Sequence, residues 1–288
     1  MKKYFSLVLF AHSVFALPFA MIGFFLGVTT TSNPFNSSLL VLVLFCMVFA
    51  RNAAMAFNRY LDRNIDAKNP RTQMRDIPAG KVSASSALIF VIANCVLFVV
   101  ATYFINPLCF YLSPIALFVV LFYSYTKRFT ALCHLVLGLG LALAPIGAYI
   151  AVTGVFNIVP IFYSLAVLFW VSGFDIIYAL QDEEFDKEEQ LHSIPAALGR
   201  KNALNLSIVL HVGAALSVIL PILFTSFSFV YYIGVAFFCA MLIYQHLLVK
   251  PNDISKVNKA FATTNGYASV IFALCFLVDA LLRTNFNL

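Results

Sequence analysis

Charge is what this chain has least of: Asp, Glu, Lys and Arg make up 10% of its 288 residues, against about 25% in a soluble domain. So few ionisable groups cannot coat a water-soluble core of this size, which excludes the soluble function classes. Paired cysteines are lacking too. Cys46, Cys95, Cys109, Cys133, Cys239 and Cys275 stand singly, nearly all inside apolar runs, which argues against a disulfide framework or zinc site and for small buried side chains. The apolar runs lack period-two alternation, so they are not porin strands. No soluble basic patch with interleaved aromatics is present, so the net charge of +6 does not point to nucleic acid.

What is present in quantity is apolar sequence, 62% of the chain. It falls into nine runs, 5–28, 39–57, 84–105, 108–125, 131–152, 158–180, 204–224, 228–249 and 263–282, each near the roughly 20 residues that span a bilayer as helix. The expectation is an all-α, polytopic membrane protein of about nine transmembrane helices, forming one integral-membrane domain over residues 1–288. Met1-Lys2-Lys3 and the small residues near Ala20 imitate a cleaved signal peptide. The apolar stretch continues to Val28, past the 7–15 residues of such a segment, so it reads as a retained first helix.

The basic residues orient these spans. With the amino terminus inside, the connections after spans two, four, six and eight are cytoplasmic and, with Lys2 and Lys3, hold sixteen of the eighteen Lys and Arg residues. The opposite connections hold none, as the positive-inside rule requires. Ten of the twelve acidic residues also lie on the cytoplasmic side or at helix ends leading to it, so the chemistry is expected there, in a multi-pass protein of the inner membrane.

Two cytoplasmic connections, 58–83 and 181–202, are densely ionisable. In the first, Asn58, Asp62 and Asp66 recur every four residues and form one helical stripe. In the second, Asp182 and Asp186 repeat that spacing, 120 residues later. Two carboxylate pairs on helix ends facing one cavity suit magnesium, which takes one or two carboxylates per ion and completes its shell with water and phosphate oxygens. A single pair would read as solvated helix-end charge; its recurrence on the same face favours a metal and diphosphate site.

Arg51 precedes Asn58 by seven residues and Asp175 precedes Asp182 by seven, extending each stripe into the bilayer. Burying either alone costs about 2.5–3.5 kcal/mol on insertion scales, so each faces a polar cavity or a partner. Two readings stand: Arg51 clamps an anionic group of an acceptor with Asp175 as orienting partner or proton acceptor, or the two form a structural interhelical ion pair. Asp279 in the last span reads as structural. The run from Tyr123 through Lys127 and Arg128 ends span four and has two readings: the basic and aromatic belt of a membrane interface, or, beside the acidic stripes, Lys127 and Arg128 as partners for a leaving diphosphate, with Arg63, Arg71 and Arg75 as further candidates. His192 reads as a loop residue.

These residues carry a resemblance. The chain resembles the UbiA superfamily of intramembrane aromatic prenyltransferases, through NxxxDxxxD at Asn58, Asp62 and Asp66, DxxxD at Asp182 and Asp186, DxxYAxxD from Asp175 through Tyr178, YxxxKR at Tyr123, Lys127 and Arg128, and the arginine at Arg51. It looks most similar to the 4-hydroxybenzoate polyprenyltransferase branch and to related menaquinone-pathway enzymes with a naphthoate acceptor; residues 12–20 and the run from Lys127 to His134 are similar to the latter. One departure is Arg75-Asp-Ile-Pro78-Ala-Gly80 where relatives commonly have RPxxxG. The resemblance implies a polyprenyltransferase in which Mg2+, held by Asp62, Asp66, Asp182 and Asp186, binds a polyprenyl diphosphate donor. It implies a catalytic set of Asn58, those four aspartates and Lys127, and a substrate-binding set of Arg51, Arg63, Tyr123, Arg128, Asp175 and Tyr178. The acceptor would be an aromatic carboxylic acid, of 4-hydroxybenzoate type in quinone biosynthesis or 1,4-dihydroxy-6-naphthoate for menaquinone, and the bilayer would hold the prenyl tail. A secondary transporter fits less well, because the external face is nearly featureless.

Overall fold

The computed structural model describes residues 15–31 and 35–285. Lys2, Lys3, His12 and the start of the first predicted span lie outside them. The described residues form α1 (Leu17–Thr30), α2 (Ser37–Leu61), the short α3 (Arg63–Lys68), α4 (Ala84–Tyr103), α5 (Pro107–Thr126), α6 (Cys133–Thr153), α7 (Ile158–Ala179), the short α8 (Glu183–Glu188), α9 (Ile194–Ile219), α10 (Phe229–Leu248) and α11 (Asn265–Asn285). Eight of the helices are long and apolar enough to cross a bilayer, and α1 is the described part of the first span. No strand occurs among the described residues, so the fold is the all-helical bundle expected.

Short polar residues fix where the helices begin. Asn36, Asn106 and Asn157 cap α2, α5 and α7, and Ser83, Ser193 and Ser228 cap α4, α9 and α10, each side chain accepting an amide N–H two or three residues on. Such caps contribute about 1 kcal/mol apiece. α9 starts ten residues before the predicted seventh span. Ser193 and Pro195 open it in the polar segment, and it bends at Gly199, whose φ of +73° a side-chain-bearing residue would strain to adopt.

The helices form a ring in which sequence neighbours mostly touch, α6 lies centrally against α1, α5 and α7, and α11 closes back on α1. α6 and α7 approach closely because Gly138 has no side chain: a Cβ there would stand 2.5 Å from the Leu168 carbonyl oxygen. Much of the phenylalanine is spent on packing. Phe15, Phe19, Trp170, Phe174, Phe238 and Phe272 stack at tilted and edge-on angles in the main core cluster, and Trp170 Nε1 donates to Asn265 Oδ1 at 2.8 Å. All six cysteines are free thiols. Asp279 is fully buried, accepting from the Ser228 amide and from Arg283 Nε at 2.8 Å, so it joins the start of α10 to α11.

Candidate active site

Both acidic stripes sit where a spanning helix stops. α2 ends at Leu61 and α3 begins at Arg63, with Asp62 between them at φ −86°, ψ 3°; α7 ends at Ala179, a 3₁₀ turn covers Leu180–Asp182, and α8 follows. Neither stripe is therefore one straight helix, as the four-residue spacing suggested. Around Asp62 the i to i−4 bonding nevertheless persists, from Asp62 N to Asn58 O at 2.9 Å and from Asp66 N to Asp62 O at 2.7 Å. The side chains stay on one side, and Asn58 Nδ2 donates to Asp62 Oδ2 at 3.0 Å.

The two helix ends enclose a polar cavity of about 210 Å³, lined among others by Asn58, Asp62, Asp66, Asp182, Asp186 and Lys127. The carboxylates are held by cations from two segments, the end of α5 and the connection after α3. Lys127 Nζ lies 2.6 Å from Asp62 Oδ2, and Arg128 Nη2 donates to Asp62 Oδ1 at 2.8 Å. Arg75 Nη1 donates to Asp66 Oδ1 at 2.6 Å. Arg71 donates to both oxygens of Asp182, through Nε at 2.9 Å and through Nη2, while Asn69 Nδ2 adds a bond to Oδ1 at 3.1 Å. Burial works against the charge of Arg71, but its bonds to Asp182 and to Tyr178 Oη outweigh that and leave its pKa above the usual arginine value. Asp186 faces Ser193, Asp182 and Lys127. Glu183 turns away to Lys187 and Arg200, as an ordinary helix-end charge does.

A second cavity, apolar and about 360 Å³, runs between α2, α4, α5, α6 and α7. Arg51, Tyr123 and Asp175 are among its few polar wall residues. Asp175 lines both cavities and marks their junction. Its hydrogen-bond partner is His134 of α6, at 2.7 Å. In the sequence His134 stands out only as the end of the run from Lys127 that carries the resemblance, because no spacing links it to either stripe.

Other expected site residues stand apart from both walls. Arg63 donates to the Tyr60 carbonyl at 2.7 Å and lies over the Tyr60 ring. Arg128 ties the Ser124 and Leu61 carbonyls to Asp62, so it acts from behind that carboxylate. Tyr178 accepts from Arg71 Nη1 at 3.0 Å and packs on Phe261 with ring centroids 4.2 Å apart, supporting the arginine. The displaced proline of the 75–80 loop leaves Arg75 in reach of Asp66, because Thr72 Oγ1 anchors that loop on the Asp66 carbonyl at 3.0 Å. His192 gives its amide N–H to the Lys127 carbonyl at 2.7 Å and holds the two cytoplasmic segments together.

The donor set fits a hard divalent cation. The polar cavity's lining carries five carboxylates and three cations, and the carboxylates remain in excess when Arg128 is added. Asp66 Oδ2 is buried with no hydrogen-bond partner, a costly state for a carboxylate oxygen. Among the described residues no three acidic, His or Cys side chains converge into a ready-made cage. The pairs oppose each other across the cavity, an arrangement for ions held largely by water and phosphate oxygens.

Comparison with known proteins agrees with this architecture. Residues 16–274 match the profile of the UbiA prenyltransferase family. The 4-hydroxybenzoate octaprenyltransferase of Nitrosospira multiformis is 29% identical over 245 residues, covering 84% of each chain, and that of Tolumonas auensis is 28% identical over 81% of this chain and 82% of its own. The apo structure of a UbiA homolog from Aeropyrum pernix superposes with a TM-score of 0.84 at 30% identity, over 93% of this chain and 98% of the other. A UbiA homolog from Archaeoglobus fulgidus bound to DMAPP and Mg2+ has the same fold, with a TM-score of 0.77 at 20% identity over 97% and 99% of the two chains.

Proposed function

The chain belongs to the UbiA prenyltransferase family, and from that premise we propose that it transfers a polyprenyl group from polyprenyl diphosphate to an aromatic acid of the 4-hydroxybenzoate type, in quinone biosynthesis. The observation that carries this reading is the junction at Asp175, where an apolar chamber meets a cavity lined by both carboxylate pairs. A diphosphate with a long apolar tail is a substrate of that shape. The relatives named as 4-hydroxybenzoate octaprenyltransferases support the acceptor class.

Asp62, Asp66, Asp182 and Asp186 would hold Mg2+, which when bound neutralises diphosphate charge and assists departure of the leaving oxygens. Asn58 orients Asp62, and Arg75 orients Asp66. Arg71 and Lys127, both on the cavity wall, add positive charge where negative charge builds on the leaving group. The apolar chamber receives the tail and keeps water from the allylic centre as the carbon–oxygen bond breaks. Arg51, with Tyr123 on the same wall, holds the acceptor carboxylate, and the ring carbon beside the hydroxyl attacks. The whole chain, residues 1–288, acts as one inner-membrane domain with the amino terminus and the site on the cytoplasmic side, following the basic residues of the 58–83 and 181–202 connections.

Membranes carrying the protein test this with a polyprenyl diphosphate and either 4-hydroxybenzoate or 1,4-dihydroxy-6-naphthoate, in magnesium or in EDTA. Magnesium-dependent product from 4-hydroxybenzoate supports the proposal. Product from the naphthoate alone moves the protein to menaquinone synthesis, and none from either overturns the activity.

A further inference from the structure

The hydrogen bonds around His134 determine where its proton lies. The amide N–H of Ile194, at the start of α9, points at His134 Nε2 from 3.2 Å. A ring nitrogen that receives an amide proton presents its lone pair, so the proton of the neutral imidazole is on Nδ1. Nδ1 faces Asp175 Oδ2 at 2.7 Å and donates to it. The histidine is anchored on every side: its carbonyl accepts from Ser172 Oγ at 3.1 Å, and Gly138, one turn along α6, allows the close contact with α7. Its side chain is 4% exposed while that of Asp175 is 23% exposed. The carboxylate is therefore the accessible member of the pair, and the imidazole is the fixed member behind it.

We propose that His134 is a positioning residue for prenyl transfer, holding the Asp175 carboxylate at the junction of the two cavities so that it takes up the proton that the acceptor ring must lose. The proposal rests on the prenyltransferase reading above. The donor's carbon–oxygen bond breaks with its electron pair going to the diphosphate, and a ring carbon beside the acceptor hydroxyl forms the new carbon–carbon bond. The carbon–hydrogen bond at that ring carbon then breaks, its electrons restore aromaticity, and the proton passes to Asp175. His134 keeps its Nδ1 proton throughout and gives it only as a hydrogen bond. A carboxylate between Lys127 on the polar side and Arg51 on the chamber side would otherwise turn toward either cation; the imidazole bond prevents that.

The test uses the full-length protein in lipid, with geranyl diphosphate, magnesium and 4-hydroxybenzoate, the acceptor being supplied either unlabelled or deuterated beside its hydroxyl. His134→Ala should lower kcat by about 10²-fold, the loss expected when a reacting group is displaced by about 1 Å, with donor KM nearly unchanged. It should also reveal an isotope effect that the wild type lacks, because proton removal becomes the slow step. His134→Gln, whose amide can both donate to Asp175 and accept from Ile194, should recover most of kcat and suppress the isotope effect. Wild-type kcat in His134→Ala would overturn the proposal, as would equal losses in both variants without an isotope effect, which is the pattern of a purely structural bond. A wild-type protein that makes no product overturns the prenyltransferase reading itself, an outcome visible before any variant is made.

Discussion

Arg71 and Asp182 stand 111 residues apart in the chain and share two hydrogen bonds. The loop that follows the first acidic stripe thus reaches across the cavity and takes hold of the second. Asn69 does the same with Asp182 at 3.1 Å, and Lys68 pairs with Glu189 at 2.6 Å outside it. Three contacts tie one cytoplasmic connection to the other, so the two halves of the candidate diphosphate site are spaced by the chain's own side chains.

Replacing Arg71 should therefore affect the donor. Arg71→Lys keeps the charge but not the fork that meets both Asp182 oxygens and Tyr178 Oη. Losing one charge-assisted bond of about 1.5–3 kcal/mol corresponds to about a 10- to 100-fold rise in donor KM. Steady-state kinetics with varied donor at saturating acceptor would check it; an unchanged donor KM would show that Arg71 serves folding alone.

The four stripe carboxylates should differ in stability while sharing the loss of activity. Asp62 is buried and answers two cations, Lys127 and Arg128, whereas Asp186 has no salt bridge among the described residues. Asp62→Asn leaves two half-buried cations short of a partner and should lower the melting temperature in detergent. Asp186→Asn should leave it near wild type. Both should reduce magnesium-dependent transfer by about 10²-fold or more, as loss of electrostatic stabilisation at a reacting charge does. Full activity in either would remove that residue from the metal set.

Much of this site was legible in the residues, and the reasons are physical. A four-residue recurrence of carboxylates at the end of an apolar run survives any modest bend, so Asn58, Asp62, Asp66, Asp182 and Asp186 could be assembled without coordinates. The breaks at Asp62 and after Ala179 could not, because nothing in the local composition marks where a helix hands over to a 3₁₀ turn. His134 was hidden as a site residue for a different cause. It sits 41 residues from Asp175, and their meeting depends on the α6–α7 crossing that Gly138 permits. The start of α9 lies outside the apolar run because its first turns are polar and amphipathic, although Ser193-Ile-Pro195 is a helix-start signature.

Gly138→Ala should test that crossing. A Cβ would stand 2.5 Å from the Leu168 carbonyl oxygen, a backbone atom that cannot swing aside. Overpacking of this kind costs about 1–3 kcal/mol, so a lower melting temperature is expected, and a displaced α6 should also weaken the His134–Asp175 bond and lower kcat. A variant as stable and as active as the wild type would mean that the two helices separate without cost.

Lys127 and Arg128 are adjacent in sequence, carry the same charge and both reach Asp62, yet only Lys127 lines the polar cavity. Arg128 spends its other bonds on the carbonyls of Ser124, at 2.7 Å, and Leu61, at 3.1 Å, which satisfies the carbonyl-rich ends of α5 and α2 and joins them. Truncating each to alanine should separate the two roles. Lys127→Ala removes a cation from the place where the diphosphate would lie and should cut kcat/KM for the donor by about 10- to 100-fold, as loss of a charge-assisted bond of about 1.5–3 kcal/mol does, with little change in melting temperature. Arg128→Ala leaves that cation in place but unties two helix ends, so its first effect should be on thermal stability, with a smaller effect on donor kcat/KM. The reverse pattern would mean that the diphosphate approaches Asp62 from the Arg128 side, and the polar cavity would then not be the donor's seat.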